Sequence, residues 1–559
     1  MQQPRQSTHY KAVPVTKAAV SSTNEKSAFQ INTPISASIS SRPSSRPSSK
    51  TDSRKNFNPQ VWDISRIANQ PEDDDLIHNP DSKIRLSRGS IFNTRGLGNV
   101  GCLVVLLICI MGLFVGYPVA TAFTQTPVQT FGVNKTGQVP QLLGNHGLID
   151  IETPENAKSF PSYMDGSEWK LVFSDEFNTD GRTFYPGDDP YWEAVNLNYW
   201  ERLKITFTEQ LTHGMNYQGG MLSTWNKFCF TGALIQASVT LPGASNVSGF
   251  WPAIWTLGNL GRVGYGATFE GMWPYSYDAC DVGAVANQSI NGQPAAANEQ
   301  PPDGKTAISN LPGQRLSRCT CPGEEHPGPK HSDGTFVGRS SPEIDMFEAQ
   351  VDGTTGVLSQ SSQWAPFNNE YEILNTSGTG MSVDNWDITI KNPYAGGPLQ
   401  QATSYVTNTN QLCYQLDDDC FSTYAVEYKP GYEADNASTE NSRWTLNAAG
   451  MGADPVTNIS ARPISQEPMY LIANLGMSSS FAFLDFAHLT FPAVMRIDWI
   501  RVYQPADAQN INCNPPDYPT ADYINANLPA YQNPNLTQWQ PGISGYNKTF
   551  PKNSLVDTC

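Results

Sequence analysis

Three carboxylic acids lie close together in one short stretch of the chain: Glu343, Asp345 and Glu348. Alternate residues of a β-strand face the same side, so Glu343 and Asp345 share a face. Glu348 would face the other side unless an extra residue interrupts the strand. A β-bulge around Met346 and Phe347 would return it to the carboxylate face. We therefore predict three acids in a row on one face of a bulged strand.

Such a row suits glycoside chemistry with retention of configuration. One carboxylate attacks the anomeric carbon, and another, kept protonated, donates to the leaving oxygen, with the two roughly 5–5.5 Å apart. Crowding should push the pKa values of the acids apart. One acid is then ionised and acts as the nucleophile, while another stays protonated and acts as the acid. We assign Glu343 as nucleophile, Glu348 as acid/base, and Asp345 as the residue that tunes and orients the pair. The competing interpretation is an exposed acidic strand in a chain of net charge −17.

Tryptophan side chains could supply the sugar-binding surface beside these acids. Sugar rings present apolar C–H faces that stack on aromatic rings. The candidates are Trp251, Trp255 and Trp273. Each of them is equally compatible with the core of a sandwich.

The elements that must position these residues are short strands. The patterns LIQASVTL, FWPAIWTL, STYAVEYKP, MYLIANL and MRIDWIRVY are strand-like, and no long amphipathic helical pattern competes with them. The 42 prolines and 44 glycines also favour a loop-rich all-β protein. We predict an all-β sandwich or barrel.

Four segments, in order along the chain, resemble glycoside hydrolase family 16, the β-jelly-roll glucanases and transglycosylases. They are SDEFN (174–178), GFWPAIWTL (249–257), EIDMFE (343–348) and IDWIRVYQ (497–504). The resemblance implies a β-jelly-roll sandwich and catalytic roles for Glu343, Asp345 and Glu348. The chain departs from the hydrolytic members by a long insertion around 258–342, and it has no His between His331 and His488.

Longer segments resemble one branch, the fungal membrane proteins associated with β-1,6-glucan synthesis. They are STWNKFCF, GMWPYSYDACDVG and LPGQRLSRCTCPGEEHPGP. This implies a β-glucan-active retaining glycosidase or transglycosylase required for cell-wall β-1,6-glucan synthesis and wall organisation. The alternatives are a non-catalytic glucan-binding or scaffold protein of the secretory pathway and, third, a glycan-trimming hydrolase of protein quality control.

The stretch Val100–Phe123 contains no charged residue. At 1.5 Å per residue it covers roughly the 30 Å of hydrocarbon in a bilayer, which predicts a transmembrane helix at 99–123. Four basic residues lie just before it, namely Lys83, Arg85, Arg88 and Arg95, whereas the first basic residue after it is Lys135. The positive-inside rule then predicts a single-pass type II membrane protein with residues 124–559 in the lumen or outside the cell. The compartment could be the endoplasmic reticulum, the Golgi or the plasma membrane.

Glycosylation sequons and cysteines agree with that orientation. All eight sequons follow the predicted span, at Asn134, Asn246, Asn287, Asn375, Asn436, Asn458, Asn535 and Asn547. Eight cysteines also follow it, and disulfide bonds are expected in an oxidising compartment. Cys413 and Cys420 bracket an Asp-rich turn and are a candidate local pair.

These observations predict five segments. They are a disordered cytosolic tail (1–98), the transmembrane helix (99–123), a luminal stem (124–165), the β-sandwich (166–506) with its insertion, and a Cys-containing extension (507–559). Residues 1–99 carry 14 Lys/Arg and 8 Asp/Glu, and the remainder carries 21 and 44. So acidic a domain disfavours nucleic acid as a partner. The expected partners are β-glucan, the lipid bilayer through the span, and other proteins of the secretory pathway or of glucan synthesis.

No cofactor or metal is expected. Cys319-Thr320-Cys321 does not have the usual zinc spacing. Glu324, Glu325, His326 and His331 lie among Pro and Gly, which is typical of a solvated loop. Asp281 and the run Asp417–Asp419 could hold a structural Ca²⁺, although charged surface turns explain them as well.

Overall fold

A computed structural model of the chain describes residues 103–107, 111, 147–178, 182–194, 203–212, 214–299, 307–375, 379–432 and 444–559. The chain divides into two units, Met1–Ile108 and Cys109–Cys559. Residues 103–107 are helical and exposed. The predicted tail (1–98), most of the predicted span (99–123) and the first part of the predicted stem lie outside the described residues. Among the residues that are described, no helix has the length and apolar character needed to cross a bilayer.

Two antiparallel sheets form the framework of the second unit. The first sheet is built from β1 (Ser159–Pro161), β2 (Glu168–Asp175), β4 (Leu203–Phe207), β6 (Ala233–Thr240), β14 (Ser422–Tyr428) and β17 (Ala493–Pro505). Its strand order is β1-β2-β17-β6-β14, and β4 pairs with β17.

The second sheet carries the carboxylate strand. It contains β3 (Glu193–Ala194), β5 (Gly220–Ser223), β7 (Trp251–Gly258), β8 (Glu343–Asp352), β9 (Thr355–Trp364), β11 (Thr389–Lys391), β12 (Gly396–Gly397), β13 (Gln400–Asn408) and β16 (Met469–Gly476). Its order is β11-β13-β9-β8-β7-β16-β5-β3, and β12 pairs with β13. The strand β8, which bears the three acids, therefore lies in the middle of the sheet.

The remaining elements are short. The strands β10 (Met381–Val383) and β15 (Trp444–Leu446) pair with each other, and two α-helices follow the last strand, α1 (Ala521–Ala526) and α2 (Leu528–Gln532). Single 3₁₀ turns occupy Glu155–Ala157, Val282–Ala284, Ala286–Gln288, Ala295–Asn298, Asn369–Tyr371 and Ala448–Met451. The prediction of an all-β sandwich is confirmed in its main part, since the regular structure of the described residues is mostly β, and the two short helices after the last strand are the departure from it.

The main hydrophobic core draws its side chains from both sheets. In β17, Met495 and Ile497 are fully buried, and after a register shift between Ile497 and Trp499 the buried positions move to Ile500 and Val502. The alternation of the sequence therefore predicts the first half of the strand and not the second. Met495 and Ile497 belong to the same cluster as Ile254, Ile344 and Phe347 of the second sheet. Each such side chain stabilises the fold by about 1.5–3 kcal/mol relative to its exposed state. The second sheet therefore buries one face in this core and leaves its other face for the acids.

The insertion and the C-terminal extension pack against each other in a second cluster. Leu260, Met272 and Leu316 of the insertion contact Tyr531 and Trp539 of the extension. The buried guanidinium of Arg315 lies 3.7 Å from the ring centroid of Trp539. The insertion and the extension therefore share one hydrophobic cluster.

Four disulfide bonds hold these segments. They are Cys229–Cys513, Cys280–Cys319, Cys321–Cys559 and Cys413–Cys420. The predicted local pair Cys413–Cys420 is confirmed. Two of the others tie the extension to the sandwich and to the insertion.

The folded part begins before residue 166. Strand β1 lies within the predicted stem and pairs with β2, with Phe160 opposite Trp169. Phe160 also packs 5.8 Å from Tyr503, ring centroid to ring centroid. A strand of three residues is too short to show a periodicity in the sequence, so this boundary depends on tertiary contacts.

Candidate active site

The predicted bulge in the carboxylate strand is present. The pairing of β8 with β9 shifts register between Asp345 and Glu348. Met346 and Phe347 occupy the bulge and are buried in the core. The extra residue returns the Glu348 side chain to the face that bears the other two acids.

Cross-strand neighbours identify that common face. On β9, Gln363 lies opposite Glu343, Ser361 opposite Asp345, and Ser359 opposite Glu348. Residues 359, 361 and 363 alternate along β9 and therefore point the same way. The three acids consequently form one row on the face of the sheet that is turned away from the core.

Each acid accepts a hydrogen bond from an uncharged N–H group. Trp273 Nε1 donates to Glu343 Oε2 at 2.6 Å, and Trp251 Nε1 donates to Glu348 Oε1 at 3.0 Å. Gln363 Nε2 donates to Asp345 Oδ2 at 3.0 Å. In the described part of the chain, no Lys or Arg forms an ion pair with the three acids. Their charged forms are therefore stabilised by hydrogen bonds alone.

Burial dominates the electrostatics of the three acids. It raises the pKa of Glu343 to about 8, with a further rise from the charge of Glu348, while hydrogen bonds from Trp273 and Asp345 oppose the rise. Burial and the charge of Asp345 raise the pKa of Glu348 to about 8, and the Trp251 hydrogen bond opposes this. The pKa of Asp345 lies well above its usual range because of burial and the neighbouring Glu343 charge.

Asp345 therefore favours its protonated form and donates a hydrogen bond to Glu343. The predicted separation of pKa values between nucleophile and acid is not found, because burial beside another acid raises the pKa of both glutamates to about 8. Glu343 receives two donors, from Trp273 and from Asp345, and both favour its ionised form.

The three candidate tryptophans all lie at this row and are half-buried. Trp251 stacks on Phe481 with ring centroids 4.3 Å apart, and Trp255 Nε1 donates to Asn474 Oδ1 at 2.6 Å. Trp273 reaches Glu343 from the insertion. The structure thus brings together all six predicted site residues, and sugar binding by the tryptophans stays a prediction.

Sequence reasoning missed three residues of the site: Gln363, Asn474 and Phe481. Gln363 occupies the strand after the carboxylates, where the family resemblance leads one to look for a His. The alternation of Ser359, Ser361 and Gln363 was the available signal for it. Asn474 and Phe481 lie far along the chain from β8, and no local pattern marks them.

The acceptor asparagines that fall on described residues are all exposed. They are Asn246, Asn287, Asn375, Asn458, Asn535 and Asn547, whereas Asn134 and Asn436 lie outside the described residues. Their exposure permits glycan attachment, which stays a prediction.

The candidate calcium ligands are occupied by protein donors. Asp281 accepts hydrogen bonds from Tyr277, Gly283 and Ser460. Asp417 accepts one from the Ser245 backbone, and Asp419 pairs with Arg496. Among the described residues, no group of three or more His, Cys, Asp or Glu side chains could hold a metal ion.

The two histidines that follow Glu324 and Glu325 contact other protein side chains. His326 stacks on Phe336 with ring centroids 4.2 Å apart, and burial lowers its pKa to about 3. His331 Nε2 lies 3.0 Å from an Asp278 carboxylate oxygen.

Solved structures similar to the chain include two glucanases. One is the laminarinase catalytic domain from Thermotoga maritima, with 16% identity and a TM-score of 0.31, covering 60% of this chain and 98% of that chain. The other is the endo-β-1,3-glucanase from Pyrococcus furiosus, with 15% identity and a TM-score of 0.31, covering 62% and 98%. The family of the chain is assigned from sequence matches alone.

Two yeast proteins match most of the chain. The β-glucan synthesis-associated protein KRE6 of Saccharomyces cerevisiae is 40% identical over 537 residues, 88% of this chain and 69% of that protein. The β-glucan synthesis-associated protein SKN1 of Candida albicans is 39% identical over 529 residues, 87% and 67%. The sequence model of the family described as β-glucan synthesis-associated protein SKN1/KRE6/Sbg1 matches residues 64–559. The chain is a member of this family.

Proposed function

We propose that the chain is a retaining β-glucan glycosidase or transglycosylase that acts in the synthesis of fungal cell-wall β-1,6-glucan. The observation that carries the proposal is the bulged strand β8, whose three acids share one face beside three tryptophans. A protein that only bound glucan would gain nothing from a row of buried, protonatable carboxyl groups. Membership of a family of β-glucan synthesis-associated proteins supplies the substrate class.

The chemistry divides between the two glutamates. Glu343, which receives the two hydrogen-bond donors, ionises and attacks the anomeric carbon. Glu348 holds the proton and donates it to the leaving oxygen. Because the pKa of both glutamates is about 8, the hydrogen bonds from Trp273 and Asp345 are what assigns the negative charge to Glu343. Asp345 keeps its proton and its hydrogen bond to Glu343, which fixes the orientation of the nucleophile.

Hydrolysis and transfer share the glycosyl-enzyme intermediate and differ in what resolves it. Water gives hydrolysis, and a hydroxyl group of a second glucan gives transfer. The insertion adds walls to the cleft, with Trp273 on Glu343 and the half-exposed Phe269 packed against Trp273. Apolar walls disfavour water at the intermediate, so we favour transfer.

The experiment is a product analysis with the purified full-length chain. It is incubated with defined β-1,3- and β-1,6-linked gluco-oligosaccharides, and the products are read by mass spectrometry. Glu343→Gln is the inactive variant, and Asp352→Asn, at the exposed end of the same strand, is the matched control. Products longer than the substrate that disappear only in Glu343→Gln establish transfer, and shorter products alone establish hydrolysis.

A retaining mechanism has a separate signature. Glu343→Ala loses turnover of an activated aryl β-glucoside, and added azide restores it as a glycosyl azide of inverted configuration, because the small anion replaces the nucleophile. If wild type and Glu343→Gln bind the oligosaccharides equally and neither alters them, the function is that of a non-catalytic glucan-binding scaffold.

We also propose that the protein is a single-pass type II membrane protein with this site on the luminal or extracellular side. The uncharged stretch Val100–Phe123 and the four basic residues before it support this orientation. Protease added to sealed microsomes should remove only the N-terminal residues and leave a protected fragment that contains the site. Complete digestion of the chain in the absence of detergent would indicate the opposite orientation, with the site on the cytosolic side.

A further inference from the structure

A groove of about 400 Å³ lies behind the carboxylate strand, between the two sheets. On β9, Gln360, Ser362 and Trp364 line this groove and alternate with the residues that face the acids. They therefore point to the opposite side of the sheet. The far wall is the strand β14, an edge strand of the first sheet. The groove thus lies mainly behind the candidate active site, although its lining also includes Asp345, Ser361 and Gln363, which the two share.

The groove combines aromatic rings with neutral hydrogen-bonding groups. Its rings include Trp364, Tyr424 and Trp444, and its polar groups include Gln360, Ser362 and Ser465. The residues that line it include no Lys, Arg or His. This composition does not suit a phosphate or another charged ligand.

The two acids among the lining residues are turned away or already bound. Asp345 directs its carboxyl group to Gln363 on the other face of the sheet. Both Glu427 oxygens accept hydrogen bonds, from the Ser162 hydroxyl and from the Tyr163 backbone N–H, each at 2.6 Å. Both carboxyl groups are therefore engaged within the protein.

Two buried polar atoms of the lining residues, the Tyr424 hydroxyl and Gln363 Oε1, lack a hydrogen-bond partner, and the Gln363 side chain turns to Asp345 on the other face of the sheet. The Tyr424 side chain is 9% exposed, and its buried hydroxyl makes no hydrogen bond. The nearby Ser422 hydroxyl, two residues away on the same strand, interacts with it without completing a hydrogen bond by geometry. A buried hydroxyl without a full partner is costly, and a ligand group in the groove would satisfy it.

We propose that this groove is a second binding site for a short, neutral oligosaccharide. The rings stack on the C–H faces of the sugar, and Tyr424, Gln360 and Ser465 bond its hydroxyl groups. The size falls within the range of ligand pockets, roughly 300–1,000 Å³. A glucan chain held here lies next to the strand that carries out the chemistry, so the site would retain a product or an acceptor close to the active site.

Residues that line the groove also contact the bulge, from the side of the sheet opposite the acids. The Gln360 amide donates to the Met346 carbonyl within the bulge at 3.0 Å and to the Ala425 carbonyl of β14 at 3.2 Å. Ile344, between Glu343 and Asp345, lines the same groove. A bound sugar therefore contacts the residues that support the placement of Glu348.

The test is calorimetric titration of the full-length Glu343→Gln chain, in which chemistry is blocked, with defined β-1,3- and β-1,6-linked gluco-oligosaccharides. We expect two binding events. Trp444→Ala should abolish one of them, and Trp251→Ala the other. Tyr424→Phe, which removes only the unpartnered hydroxyl, should weaken the groove event by about two- to tenfold. Thermal unfolding of each variant identifies any that fail to fold. If Trp444→Ala fails to fold, Tyr424→Phe still tests the groove.

A single binding event that is sensitive to Trp251→Ala and insensitive to Trp444→Ala and Tyr424→Phe would overturn the proposal. Binding of an alkyl probe such as dodecanoate in the groove, with no competition from oligosaccharides, would overturn it in favour of a lipid ligand. Turnover by the wild-type chain is measured separately, so the second site can fail while the proposed catalysis stands, and the reverse also holds.

Discussion

At the scale of single residues, the carboxyl groups on β8 are acids whose surroundings favour the neutral form. Asp345 is buried and the two glutamates, Glu343 and Glu348, are half-buried. The three lie next to one another and receive hydrogen bonds only from N–H groups or from each other. A buried charge without a counter-ion is costly, and raised pKa values are the result. Such a row weakens the fold at neutral pH, which is typical of a site kept for chemistry.

This cost predicts a dependence of stability on pH. The pKa of Glu348 is about 8 in the folded chain, against an ordinary value of 4.5. The folded state therefore binds the proton more tightly, so this contribution to stability is complete below about pH 4.5 and is lost as the pH rises through 8. Glu348→Gln lacks the titrating group, and its free energy of unfolding should fall less between about pH 5 and 8.

Denaturant unfolding at several pH values measures that slope. Glu209→Gln, at an exposed glutamate, serves as the control and should follow the wild type. Identical slopes in the wild type and Glu348→Gln would show that the pKa of this carboxyl is not raised.

The indole of Trp273 should tune the nucleophile. Its N–H lowers the pKa of Glu343, so Trp273→Phe should raise that pKa further while retaining an aromatic ring. Because the nucleophile must be ionised, the acidic limb of the pH profile of kcat/KM should move to higher pH. Trp386→Phe, at an exposed tryptophan, is the matched control. A uniform loss of rate with an unmoved limb would mean that Trp273 contributes only packing.

At the scale of elements, the insertion and the C-terminal extension support the candidate active site together. The insertion supplies Trp273, and the extension packs behind it through Trp539 and Tyr531. Cys321–Cys559 joins the two segments across 238 residues of sequence, whereas Cys413–Cys420 closes a loop of 7. The long link therefore restricts the unfolded chain far more than the short one.

Removing the two links should have different effects. The double variant Cys321→Ser/Cys559→Ser should lose about 2–5 kcal/mol of unfolding free energy, and Cys413→Ser/Cys420→Ser should lose less. Denaturant unfolding under oxidising conditions compares them. A larger loss in the short-loop variant would show that local strain or packing, rather than loop entropy, decides their contributions.

At the scale of the whole molecule, all acceptor asparagines on described residues are exposed on one folded unit. If that unit enters the secretory pathway, several of them should carry glycans. The full chain made in a secretory host should then fall in apparent mass, in discrete steps, on endoglycosidase treatment. Asn547→Gln and Thr549→Ala destroy the same sequon and should each remove one identical step. A full chain whose mass does not change would contradict the proposed orientation.

The sequence by itself determined the features that depend on neighbours along the chain. The alternation of Glu343 and Asp345, and the extra residue needed before Glu348, follow from the geometry of a strand. The strand patterns and the pair Cys413–Cys420 are local in the same way. Each of these predictions is confirmed, because the periodicity of a backbone is written in consecutive residues.

Only the tertiary structure decided the contacts between distant segments. Trp273 reaches Glu343 across 70 residues of sequence, and Asn474 reaches Trp255 across 219. Gln363 was visible as a residue of β9, but its bond to Asp345 required the register of two strands. The groove behind β8 exists only because two sheets pack face to face. Such contacts depend on the path of the whole chain, and no local pattern of residues encodes that path.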